Sequence, residues 1–179
     1  MKRKSLEQNE LLISGHFAEK KFRKLVILTL YSNPQKTVGI VLNKVKPLCQ
    51  NKNTDILQCG FGGYQEMNQV NVLHTKQGNH SSEISEGIFI TDDLTKTFDP
   101  NFESEIINDT MRVFSGYMEW ETERLFYEMM RLKWVTFRPE PHNLKKIIFT
   151  YKSEGLWKRM LRKSLFQSFG PNPYAGKGN

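Results

Sequence analysis

The sequence predicts a single α+β domain of mixed α/β character, in which a mixed sheet is packed with short helices. Three observations carry that expectation. Strand-length apolar runs occur at both ends of the chain, and stretches of helical spacing separate them. At 179 residues the chain suffices for one substantial core and is short for two. Its composition, 38% hydrophobic and 12% aromatic, exceeds what a disordered chain carries. The glycines and prolines are dispersed and no fixed-period repeat is present. The predicted organisation is a flexible segment over 1–10, one domain over 11–170 and a loose tail over 171–179.

Leu25 to Tyr31 and Val38 to Leu42 read as adjacent strands joined by the polar turn 32–36, with little alternation and hence burial on both faces. Phe22, Ile27, Ile40 and Phe114 fall in the strongest apolar segments and are expected in the core. Residues 43–54 are polar and read as loop, leading through Ile56–Cys59 to Gly60-Phe61-Gly62-Gly63. Val70 to His74 alternates as a strand with one exposed face would. After a loop at 78–82, Gly87 to Thr91 is a short strand, and Asp99-Pro100 opens a helix ending near Asn108.

Met111 to Tyr117 returns to strand. Thr122 is placed to cap a helix whose inward stripe is Leu125, Phe126, Met129 and Met130. Lys146 to Tyr151 reads as a further strand. Ser153 is placed to cap a last helix, with Leu156, Trp157, Met160, Leu161 and Leu165 on one side and Lys158, Arg159, Arg162 and Lys163 on the other.

No apolar run approaches the ~20 residues that span a bilayer, and the polar stretch after Met1-Lys2-Arg3-Lys4 does not suit an export signal. Cys49 and Cys59 form no disulfide framework. These features point to a cytoplasmic protein in a reducing compartment without membrane contact. Net charge is +7, distributed as +7 over residues 1–46, −9 over 47–130 and +9 over 131–179. Two basic ends can draw a polyanion or simply complement the acidic middle.

The Gly60–Gly63 cluster lacks both phosphate-loop spacings and reads as a turn with positive backbone φ, so no nucleotide cofactor is implied. Cys59, His74 and His80, with Cys49 or Asp92 as a fourth ligand, match no standard metal set, and His74 reads as a surface or capping residue. No nucleophile elbow is present, and Glu119, Glu121, Glu123, Asp92 and Asp93 read as solvated charges. No catalytic residue, metal or cofactor is therefore expected. Lys158, Arg159, Arg162 and Lys163 form the best candidate for phosphate contact, without a helix-turn-helix or RNP motif beside them.

The order of motifs resembles the YqgE/AlgH family (DUF179) from Leu11 to about Gly170. The resemblance rests on LLISGHF (11–17), KFRKLVILTLY (21–31), VGIVLNKVKP (38–47), FGG (61–63), VLH (72–74), GIFITDD (87–93), SGYMEW (115–120), ETERLFYEMM (121–130), IIF (147–149) and GLWKRML (155–161). Tyr64 and Glu119 depart from the family's usual proline and glycine, which marks a divergent member. The resemblance implies a strongly bent mixed sheet with surrounding helices, and a family surface around Gly62, Gly63, His74, Gly116, Tyr117 and Trp120. It implies no catalytic site and suggests a regulatory or protein-interaction module, acting on a protein partner or by self-association. The alternative is a nucleic-acid-binding transcriptional regulator working through the basic ends.

Overall fold

The sheet is built around one long strand that changes partners half-way along its length. The computed structural model describes residues 6–44, 59–78, 80–92 and 110–169. Strands are β1 (Leu11–Ser14), β2 (Val26–Ser32), β3 (Lys36–Val41), β4 (Cys59–Phe61), β5 (Gln65–His74), β6 (Ser82–Ser85), β7 (Ile88–Thr91), β8 (Met111–Glu121) and β9 (Trp134–Phe137). Helices are α1 (Thr122–Met130), α2 (Pro141–Phe149) and α3 (Leu156–Phe169). The strand order is β6-β7-β5-β8-β3-β2-β1-β9, with β4 added alongside β8. All pairs are antiparallel except β4 with β8, which is parallel. The result is one domain of mixed α/β fold, a strongly curled sheet with helices around it.

Strand β8 makes the curl. Residues Met111 to Ser115 pair with β5, and Met118 to Glu121 pair with β3. Between them Gly116 adopts φ +72, a conformation that glycine reaches without steric cost. The register of β5 against β8 also slips between Gln65 and Val70, an irregularity that increases local bending.

Strands β2 and β3 pair as expected, Ile27 opposite Val41 and Leu28 opposite Ile40. Their unbroken apolar runs are explained by burial on both faces. On one face Leu11, Ile13, Val26, Leu28, Ile40 and Phe114 pack beneath α2 and α3 through Leu144, Ile147, Leu156 and Met160. On the other, Leu12, Ile27 and Val41 pack with Met118, Trp120, Leu125 and Trp134, and Phe22 borders this cluster. Each fully buried aliphatic side chain contributes roughly 1.5–3 kcal/mol.

Several expectations are corrected. Residues 146–151 are not a strand: 141–149 is helical, with Pro141 opening the first turn and Leu144, Ile147 and Ile148 on one side. A short reading window sees only the apolar run at its end. Val70–His74 has no fully exposed face: Leu73 enters the main core while Val72 packs with Cys59 and Val113, and residues 71–74 are all buried. Thr122 is the first residue of α1 rather than its cap, and its buried hydroxyl donates to the Asn33 carbonyl at 2.7 Å. Met130 is 75% exposed, and Glu128 instead takes an inward position. Leu165 is exposed, and Ser164 is buried in its stead through a bond to the Thr136 carbonyl at 2.6 Å. Ser153 lies in the turn ahead of α3 rather than at its cap. Cys59 is disulfide-bonded, against the expectation of reduced thiols. The expected helix over 99–108, the loop over 45–54, Cys49, Asp93 and the tail from Gly170 lie outside the described residues.

Candidate functional site

The residues expected to form a family surface lie almost entirely inside the protein. Gly62, Gly63 and Gly116 are buried where β4 runs under the bend of β8. A Cβ on Gly62 would sit 2.1 Å from the Gly116 carbonyl oxygen, and one on Gly63 would sit 2.0 Å from the Tyr117 carbonyl. Neither glycine has a positive φ, so the expected turn is replaced by a close crossing of two backbones. The Gly62 amide donates to the Ser115 carbonyl at 2.8 Å, and the Gly62 carbonyl accepts from Val41 at 2.9 Å. These groups are engaged by the fold and form no anion cradle.

His74 is 1% exposed, stacked on Phe89 with ring centroids 5.8 Å apart, and its Nδ1 lies 2.7 Å from the Lys76 carbonyl. Burial pushes its pKa below the ordinary histidine value, partly offset by that backbone bond. Trp120 is also buried, edge-on to Trp134. Only Tyr117 of this set reaches solvent, its hydroxyl 3.4 Å from Glu66. Cys59 is removed as a thiolate ligand by its disulfide, and the described residues hold no group of three metal-ligating side chains.

The predicted phosphate-contact residues are brought together. Lys158, Arg159, Arg162 and Lys163 line one concavity of about 480 Å³ with Tyr151 and Gly155. The Arg159 guanidinium stacks on the Tyr151 ring at 4.4 Å, and Lys163 lies 6.0 Å from the centre of Phe137. Helix α3 is held to the sheet by the Trp157 indole, which donates to Ser14 at 2.8 Å, and by reciprocal bonds between Gln167 and the Arg138 backbone.

Helix α3 and the Lys20–Phe22 turn do not meet. Helix α3 packs on the face formed by Leu11, Ile13 and Leu28, whereas Phe22, in the Lys20–Phe22 turn, packs toward Trp134 on the other.

Sequence reasoning missed a different surface. The loop after β1 and the turn after α1 are tied together by the Gly15 amide donating to Lys133 at 2.8 Å and by Lys133 Nζ on Glu19 at 3.1 Å. That bond and the ammonium charge hold the Glu19 carboxyl below its ordinary pKa. Around this junction Phe17 is 68% exposed, Met130 75% and Leu132 56%. Leu132 occupies φ +56. The amides of Leu132 and Lys133 close the helix end by bonding Met129 and Glu128 at 2.9 and 3.0 Å, the arrangement in which glycine normally takes the left-handed place. The signal in the sequence was that missing glycine after Met129-Met130-Arg131.

Lys20, Lys21, Arg124 and Arg131 are exposed around the junction, Arg131 stacked on the exposed Tyr127 ring at 4.3 Å. Arg124 reaches the buried Glu128 at 3.5 Å, while Glu128 accepts the Trp134 indole proton at 2.8 Å.

The AlgH-like family (DUF179) matches residues 11–167. A UPF0301 protein from Chlamydia trachomatis is 27% identical over 152 residues, 79% of this chain and 77% of its own length. One from Chlorobium chlorochromatii is 26% identical over 167 residues, 85% of this chain and 82% of its own. The solution structure of AlgH from Pseudomonas aeruginosa superposes with a TM-score of 0.67 at 20% identity, covering 98% of this chain and all of AlgH. A Corynebacterium diphtheriae protein has the same TM-score at 19% identity, covering 90% and 89% of the two chains.

Proposed function

From the premise that this chain belongs to the AlgH-like family (DUF179), we propose that it is a non-catalytic regulatory module that binds a protein partner. The observation that carries this reading is the exposed trio Phe17, Met130 and Leu132 at the junction of two loops. Scattered exposed apolar residues are ordinary, but a cluster beside cations has the form of a docking anchor. Leu132 sharpens the case. A leucine at positive φ costs about 1–2 kcal/mol that glycine would spare, and its side chain regains little by folding because it faces water. The partner's chemistry follows from the rim: Lys20, Lys21 and Arg131 suit an apolar ridge flanked by aspartate or glutamate. A symmetric contact between two copies would set the same cations against each other, which favours a different protein over self-association.

A photo-crosslinking phenylalanine analogue at position 17 tests this in the native host. The expected result is one predominant adduct, whose peptide carries acidic residues beside apolar ones, and which Met130→Ser and Leu132→Ser together abolish. An adduct of the chain with itself alone, a basic partner peptide or equal labelling from an analogue at exposed Glu86 would overturn the proposal.

A second reading, a nucleic-acid strand held on these same cations, is supported by the exposed Tyr127 ring with Arg131 stacked on it beside Lys20, Lys21 and Arg124. Against it, Trp120 is buried, and the four cations of α3 lie on the opposite face of the sheet from the Lys20–Phe22 turn.

A further inference from the structure

We infer that the concavity on α3 binds a ligand carrying two or more phosphate groups close together. This goes beyond the docking reading and lies on the other face of the sheet. Lys158, Arg159, Arg162 and Lys163 all line the space of about 480 Å³, and no carboxylate among the described residues lines it. Glu154 lines only the adjoining hollow, which shares Tyr151 and Arg159.

Local electrostatics opposes this arrangement in three ways. Lys158 and Arg159 stand in the first turn of α3, where the helix dipole disfavours cations and which itself holds no acidic residue. Lys158 with Arg162, and Arg159 with Lys163, are like-charge pairs four residues apart, which destabilise a helix. Among the described residues, none of the four is in an ion pair. A solvated helix face built for stability would alternate sign, and α3 contains no Asp or Glu at all.

The chemistry of the donors selects phosphate. Two guanidinium forks match phosphate oxygens bidentately, and two ammonium groups add compact charge. Arg159 is already held over Tyr151 at 4.4 Å, so less side-chain freedom is lost on binding. Four cations exceed what a single phosphate of charge about −1.5 to −2 neutralises, so the fit is to an oligophosphate. That chemistry occurs in a free polyphosphorylated small molecule and in consecutive phosphates of a nucleic-acid strand.

The test is calorimetric titration of the full chain with tripolyphosphate, then competition with a single-stranded oligothymidylate. Arg159→Gln with Arg162→Gln should weaken tripolyphosphate binding about 100-fold, roughly tenfold for each lost bidentate contact. Lys20→Gln with Lys21→Gln removes the same charge from the other face and should change affinity less than about twofold, a size expected of screened long-range charge. Urea midpoints report that all variants remain folded. Displacement of tripolyphosphate by the oligonucleotide, with affinity falling steeply in salt, assigns a strand as the source. Failure to displace assigns a compact free ligand. No tripolyphosphate binding, equal loss in both double variants, or equal affinity for hexaglutamate would overturn the inference. None of these outcomes bears on the docking patch at Phe17.

Discussion

The glycine crossing beneath β8 and the cationic face of α3 both stand out in the sequence as candidate sites, yet folding treats them in opposite ways. At the crossing, Gly62, Gly63 and Gly116 let two backbones approach more closely than any side chain permits, and their polar groups are engaged within the sheet. On α3, four cations stand together against the helix dipole and against one another. The first region is explained by what it does for stability. The second is unfavourable locally and calls for a ligand. The docking patch belongs with the second: Leu132 is held where glycine would be easier and where its apolar side chain meets water.

That contrast can be broken by substitution. Gly63→Ala places a methyl group 2.0 Å from the Tyr117 carbonyl and should cost about 3 kcal/mol or more, read from urea denaturation. A loss below about 1 kcal/mol would mean that the crossing relaxes easily and that the glycines serve something else. Trp134→Phe removes the indole donor that Glu128 accepts at 2.8 Å inside the protein, and should cost about 2–3 kcal/mol. Glu128→Gln tests the same bond, since a neutral acceptor there weakens it without leaving a cavity.

His74 sharpens the comparison through pH. Its folded pKa is lowered by burial, so above the unfolded value near 6.5 both states are neutral and its effect on stability is constant. As pH falls below that value the unfolded chain takes up a proton that the folded chain resists. Stability therefore declines toward the folded pKa, by at most about 1.4 kcal/mol per pH unit. His74→Phe should flatten the urea midpoint over that range, whereas a histidine on an exposed surface would leave the profile unchanged.

The smaller effects should have the opposite sign. Leu132→Gly relieves the left-handed strain and should stabilise the protein by up to about 1 kcal/mol, while abolishing the crosslink from position 17. Arg162→Gln removes the like-charge pairs with Lys158 and Arg159 and should stabilise α3 by a few tenths of a kcal/mol, measured by thermal melting without ligand. A stabilised variant that also loses tripolyphosphate would join both halves of the argument.

The strand runs at 25–31 and 38–42, the helical stripe of α3 and the family motifs were legible in the sequence, because hydrophobic periodicity is a local property. Lys158, Arg159, Arg162 and Lys163 share a helix face by spacing alone, and the fold adds Tyr151 and Gly155 around them. Which alternating strand is covered on both sides was not local: Leu73 enters the main core while Val72 packs with Cys59 and Val113, residues far from it in the chain. For the same reason the glycines of residues 60–63 looked like a turn until β8 was laid against them. The Phe17–Leu132 junction joins residues more than a hundred positions apart through Gly15 and Lys133, so no sequence window contains it. Residue order determined which segments are apolar, cationic or helical. Tertiary packing decided which of them meet water, because exposure depends on what distant parts of the chain bring to each face.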